Sequence, residues 1–100
     1  MRSELELPDF DRLYRSAKES FRACISGKDR AMLQSEISTP LDEIVTKKDF
    51  VRITFTGKHP STYLLETKLT LQAPNGNDLG YYCLHQNENG DCVDDFLVFE

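Results

Sequence analysis

Glu66, His85 and Asp94 are the residues whose types could do joint chemistry, provided that the fold sets them side by side. Carboxylates within about 5 Å of an imidazole favour its charged form, and one His with two acids can hold a divalent ion. The same trio also serves as a solvated charge ladder across a sheet, which needs no ordered outer shell of the kind metal sites rest on. We therefore expect no cofactor and no metal, and keep Glu66, His85 and Asp94 as the candidate should a cation bind.

A second group is Asp95 and Gln86 with Tyr14, Tyr63 and Tyr82. If a pocket opens between helix and sheet around Asp95, that carboxylate could anchor a small-molecule ligand or act as a base, because a buried acid must find partners or neutralise. A bulge at Asp94-Asp95, or a place for Asp95 at the wet end of the sheet, is the competing expectation. No second catalytic partner is evident, so a non-enzymatic role is preferred. The third group is Tyr81, Cys83, Phe96 and Val98. Together they form an apolar patch on the other sheet face, suited to a homodimer or to another protein. Cover by Leu5 and Leu7 of the N-terminal segment, or by residues 41–45, is the alternative.

Cysteines number three, Cys24, Cys83 and Cys92, with no CxxC spacing. Cys83 and Cys92 share a face but stand roughly 13 Å apart along the hairpin, beyond disulfide reach. Free thiols and a cytoplasmic setting follow as expectations. Cys83 and His85 lie about 6 to 7 Å apart on one strand, which disfavours a Cys-His nucleophile. Asn75-Gly76-Asn77-Asp78 lacks the glycine spacing and following helix of a phosphate cradle. Asn87 to Asp91 looks like half a calcium loop, but Phe96 or Phe99 falls where the closing Glu belongs.

Seventeen acids against twelve bases give a formal charge of -5, which repels polyanions and argues against nucleic acid. Acids Asp42, Glu43 and Asp49 also sit beside the basic stretch Lys47, Lys48, Arg52 and Lys58. The first residues, MRSELELPDF, lack the apolar run of a secretory signal, and no stretch is long enough to span a membrane. The composition, 39% hydrophobic and 29% charged, is that of a folded chain, read as one domain over residues 1–100.

Those residues must be positioned by a few elements. Phe10, Leu13, Tyr14, Ala17, Phe21, Cys24 and Ile25 recur at three- and four-residue spacing and predict an amphipathic helix over about residues 8 to 26. Pro8 would sit in its first turn, and Gly27 would end it in a left-handed conformation. Asp29 is expected to cap a short second helix carrying Ala31, Met32 and Leu33. Thr39 to Asp42 then opens either a helical turn or, from Glu43, a short strand. Beyond Lys48 the period becomes two, predicting strands over Phe50 to Thr56, Ser61 to Ala73, Leu79 to Asn87 and Asp91 to Phe99.

Asn75-Gly76 and Asn89-Gly90 read as two-residue type I′ hairpins, which require positive φ at both central positions. That assumption fixes a register: Tyr81 with Thr70 and Val98, Cys83 with Lys68 and Phe96, His85 with Glu66 and Asp94, and Asn87 with Cys92. A five-residue loop from Gly57 would pair Phe55 with Tyr63 and Ile53 with Leu65. One face then collects Val51, Ile53 and Phe55, Tyr63, Leu65, Leu69 and Leu71, Tyr82 and Leu84, and Val93, Leu97 and Phe99, and the helix belongs there. The predicted class is α+β, an N-terminal helix with a short second helix packed on a four-stranded antiparallel meander. In topology this resembles cystatin-like and NTF2-like domains, and Gly90 to Phe99 is similar to the last strand of many small NTF2-like proteins. The resemblance implies a curved sheet around the helix and leaves function open.

Overall fold

The computed structural model describes residues 9–57 and 62–100. Helix α1 spans Phe10–Ile25, and the carboxylate of Asp9 accepts the Arg12 N–H at 3.2 Å as its cap. Pro8 lies outside the described residues. Leu13, Ala17, Phe21 and Ile25, spaced by four, form its buried stripe. Gly27 does not take the expected left-handed conformation. Instead Arg30 Nη1 donates to the Ile25 carbonyl at 3.1 Å, and Ser26 Oγ donates to that of Arg22 at 2.8 Å.

Helix α2, Arg30–Ser35, buries no residue, and the Asp29 side chain makes no cap bond. Met32, on this helix, is 62% exposed. Two bonds of 2.9 Å, from Gln34 Nε2 to the Thr39 carbonyl and from the Leu41 N–H to Gln34 Oε1, fold the chain back. Leu41–Glu43 is a 3-10 turn and strand β1 begins at Val45, so the helical-turn and strand readings each describe part of this segment. Leu41 and Ile44 are buried beside Phe21 and Ile25.

Strands β1 (Val45–Phe55), β2 (Tyr63–Gln72), β3 (Asp78–Asn87) and β4 (Cys92–Phe99) form one antiparallel sheet in chain order. The expected pairs Phe55–Tyr63, Ile53–Leu65, Glu66–His85, Lys68–Cys83, Leu69–Tyr82, Thr70–Tyr81, His85–Asp94, Cys83–Phe96 and Tyr81–Val98 are all present. The turns are not those expected. Gly76 and Gly90 have φ of 91° and 84°, whereas neither Asn75 nor Asn89 has positive φ, which excludes type I′. In the first hairpin the Gly76 N–H reaches the Ala73 carbonyl and the Ala73 N–H reaches that of Asn77, each at 2.9 Å. Asn87, Gly90 and Asp91 repeat the pattern. These are three-residue loops closed by a left-handed glycine.

Each longer loop offsets the pairing by one, and a bulge then cancels the offset. Gln72 pairs with Asp78 but Leu71 with Gly80, and Gln86 pairs with Cys92 but His85 with Asp94. Cys92 therefore faces Gln86 rather than Asn87. Val93 is the extra residue on its strand and stands 52% exposed instead of in the core. Phe55, 51% exposed, also departs from the inner layer, because α1 packs mainly on β2 and β3.

The core joins Phe21, Ile25, Leu41 and Ile44 to Leu69, Leu71, Tyr82 and Leu84, with the Phe21 and Tyr82 rings 5.6 Å apart. Leu97 and Phe99 pack against it from the edge strand. Gly80 adjoins the bulge with φ 148°, and a Cβ there would lie 1.9 Å from the Val98 carbonyl oxygen. Both the conformation and the space demand glycine. Gly80→Ala is expected to cost at least about 2 kcal/mol of stability. Urea denaturation checks this, and a loss within experimental error would contradict the geometry.

Candidate interaction face

On the sheet face away from α1 the register lays out three rows. Arg52, Glu66, His85 and Asp94 form the first, Phe50, Lys68, Cys83 and Phe96 the second, and Lys47, Thr70, Tyr81 and Val98 the third. Phe50 was not among the residues expected here. The pairing of Ile53 with Leu65 carried the signal, since three residues back along the strand means the opposite face. Residues 41–45 do not cover these rows, as Leu41 and Ile44 are buried in the core on the helix side. Leu5 and Leu7 lie outside the described residues.

In the first row His85 Nε2 and Glu66 Oε2 are 3.0 Å apart, and Arg52 Nη1 lies 3.5 Å from Glu66 Oε1. Asp94 faces His85 along the register, but its Oδ1 accepts the Asp95 N–H at 2.9 Å. Both oxygens of Glu66 thus face cationic or hydrogen-bonding groups within the sheet. Among the described residues no three His, Cys, Asp or Glu gather as a metal site.

The second and third rows interleave rings with cations. Lys68 Nζ stands 4.5 Å from the Tyr81 ring centroid and 5.4 Å from that of Phe50, with Asp49 Oδ2 at 3.8 Å. Arg52 lies over Phe50 at 5.0 Å, and the His85 and Phe96 rings meet edge to face at 5.2 Å. Asp49 owes its place to the β1 bulge between Lys48 and Phe50, and it also accepts from Thr70 Oγ1 at 3.3 Å. Cys83 is buried, and that burial, then the Glu66 charge, pushes its thiol up. A neutral thiol whose neighbouring imidazole is engaged by Glu66 is a poor nucleophile.

The five residues expected around a helix–sheet pocket are divided among four places. Tyr82 Oη donates to Asp95 Oδ2 at 2.7 Å, yet Asp95 is exposed, opposite Leu84 in the middle of the edge strand rather than at the end of the sheet. Tyr14 lines a hollow of about 370 Å³ with Arg15, Lys18, Thr46 and Lys48, whose Nζ is 5.4 Å from its ring centroid. Gln86 lines another, of about 300 Å³, with Arg12, Leu13, Ser16, Leu65 and Glu88. Its Nε2 donates to the Gly90 carbonyl at 3.1 Å, and its buried Oε1 has no partner among the described residues. Tyr63 stands apart, edge to face with Phe55 at 6.1 Å. Asp95 lines neither hollow.

Comparison with known protein families, characterised proteins and solved structures finds no match to this chain. Among the described residues no helix is long and apolar enough to cross a membrane.

Burial, then the bond to Asp95 and its charge, raise the Tyr82 phenol above its ordinary value. A raised phenol contributes stability that is whole below the unfolded value of about 10 and falls as pH climbs past it, because the unfolded chain releases a proton that the folded chain keeps. The loss is at most about 1.4 kcal/mol per pH unit, and Tyr82→Phe is expected to abolish it. Denaturant unfolding of both proteins at about pH 8 and about pH 11 checks this. Equal alkaline losses in both would count against it.

Proposed function

We propose that the protein is a small non-enzymatic binding and assembly module that acts through the outer face of its sheet, pairing there with itself or with another protein. One observation carries this reading: Phe96 is 46% exposed on a sheet whose opposite face is already filled by the helix. A layered fold buries apolar surface by covering it with another layer, and here Phe50, Tyr81, Phe96 and Val98 have no such layer among the described residues. Rings beside an arginine are also the residue types that anchor protein interfaces. The net negative charge weighs against nucleic acid as the partner.

Helix-then-meander order supports our reading of a cystatin-like or NTF2-like topology. The three free thiols suit a reducing, cytoplasmic setting. A second reading, an NTF2-like small-molecule-binding or enzymatic domain, draws on the unpartnered Oε1 of Gln86 beside its hollow. It places the ligand at the start of α1 rather than around Asp95.

Light scattering after size exclusion, from about 10 μM to about 1 mM, separates the two readings. The assembly module is expected to show a mass that rises with concentration, and Phe96→Asp is expected to hold it at the monomer. Since Phe96 is half exposed, the variant should keep its melting temperature. A wild-type monomer throughout, stabilised by members of a metabolite panel, would move the function to the hollow.

A further inference from the structure

Building on the outer-face reading, we infer that the occupant of that face is a second copy of the chain, related by a twofold axis running along the strands between β2 and β3. Rotation about such an axis keeps each residue's level along the strand and exchanges β1 with β4 and β2 with β3. Arg52 then comes over the second copy's Asp94, Glu66 over its His85, and Phe50 over its Phe96. The first row reads basic, acidic, imidazole, acidic, and its reversal sets a complementary group against every member.

The other in-plane axis, across the strands, fails the same test. With the Phe50 row at its centre, it would set Arg52 against a second Lys47 and Asp94 against Val98, leaving like charges in the interface, whereas the axis along the strands opposes no like charges and leaves only the exposed Lys47, over Val98, without a counter-charge. Lys68, in the middle of the face, already has Asp49 at 3.8 Å and two rings around it, so it needs no partner from outside. Facing sheets pack at about 30° to each other, which offsets the outermost strands by about 4 Å, within the reach of an arginine. Arg52 and Asp94 are both exposed in the single chain. Four strands and three rows give roughly 400 Å² in projection, a small interface, so a dissociation constant in the micromolar range is expected.

Two single variants and their mixture test the axis. Arg52→Asp alone puts acid against acid in a homodimer, Asp94→Arg alone puts base against base, and each is expected to weaken self-association by about tenfold or more. Mixed in equal amounts, they place an acid opposite a base at both ends, and sedimentation equilibrium should recover a dimer within about threefold of the wild-type affinity. Melting curves of each variant confirm that folding is intact. If Phe96→Asp dissociates the wild-type dimer but the mixture stays monomeric, the axis is overturned while the outer-face reading stands. A wild-type chain that is monomeric at about 1 mM overturns the second copy itself and leaves the face to a different protein.

Discussion

The parity of strand pairing governs every other feature of this protein. Side chains alternate between faces with period two, so an offset of one residue in any strand pair would exchange core for surface along its whole length. Both glycine-closed loops introduce such an offset, and a bulge in each pair absorbs it within a residue or two of the turn. Gly80 adjoins one of these bulges, in a conformation and a space that exclude a Cβ. Farther from the turns Leu69, Tyr82 and Leu97 all face the helix.

The third bulge, at Asp49, works on the other edge. It lets Thr46 and Lys48 on one side and Val51 and Ile53 on the other all point toward the helix layer, though an unbroken strand would divide them. Lys48 thereby reaches Asp11 at 3.3 Å and the Tyr14 ring, tying the edge of the sheet to the helix. Asp49 itself is freed to meet Lys68 and Thr70 on the opposite face. One inserted residue thus shapes the helix-side hollow and the outer face together.

The outer face combines two properties. Its rings are partly exposed, and its charged groups alternate in sign across the strands rather than clustering. Partly exposed ion pairs such as Arg52 with Glu66 contribute little to folding, being screened and entropically costly to hold. In the dimer proposed above it is their order across the row that would set the orientation of the second copy, because recognition discriminates by where charges match and where they clash.

The α1 stripe, the four strands and most of the register were legible in the sequence, since they depend on local periodicity and on turn residues that act over a few positions. The Glu66–His85 pair followed from the same arithmetic, and so did the cluster of Tyr81, Cys83, Phe96 and Val98. Tertiary structure alone decided that Asp94 turns to its own neighbour's N–H, that Val93 is pushed into solvent and that Phe55 lies where the helix gives little cover. It also separated Tyr14, Tyr63 and Gln86 from Tyr82 and Asp95. These outcomes depend on where a bulge relieves an offset and on which length of sheet one helix can cover, and both are settled by packing between segments distant in the chain.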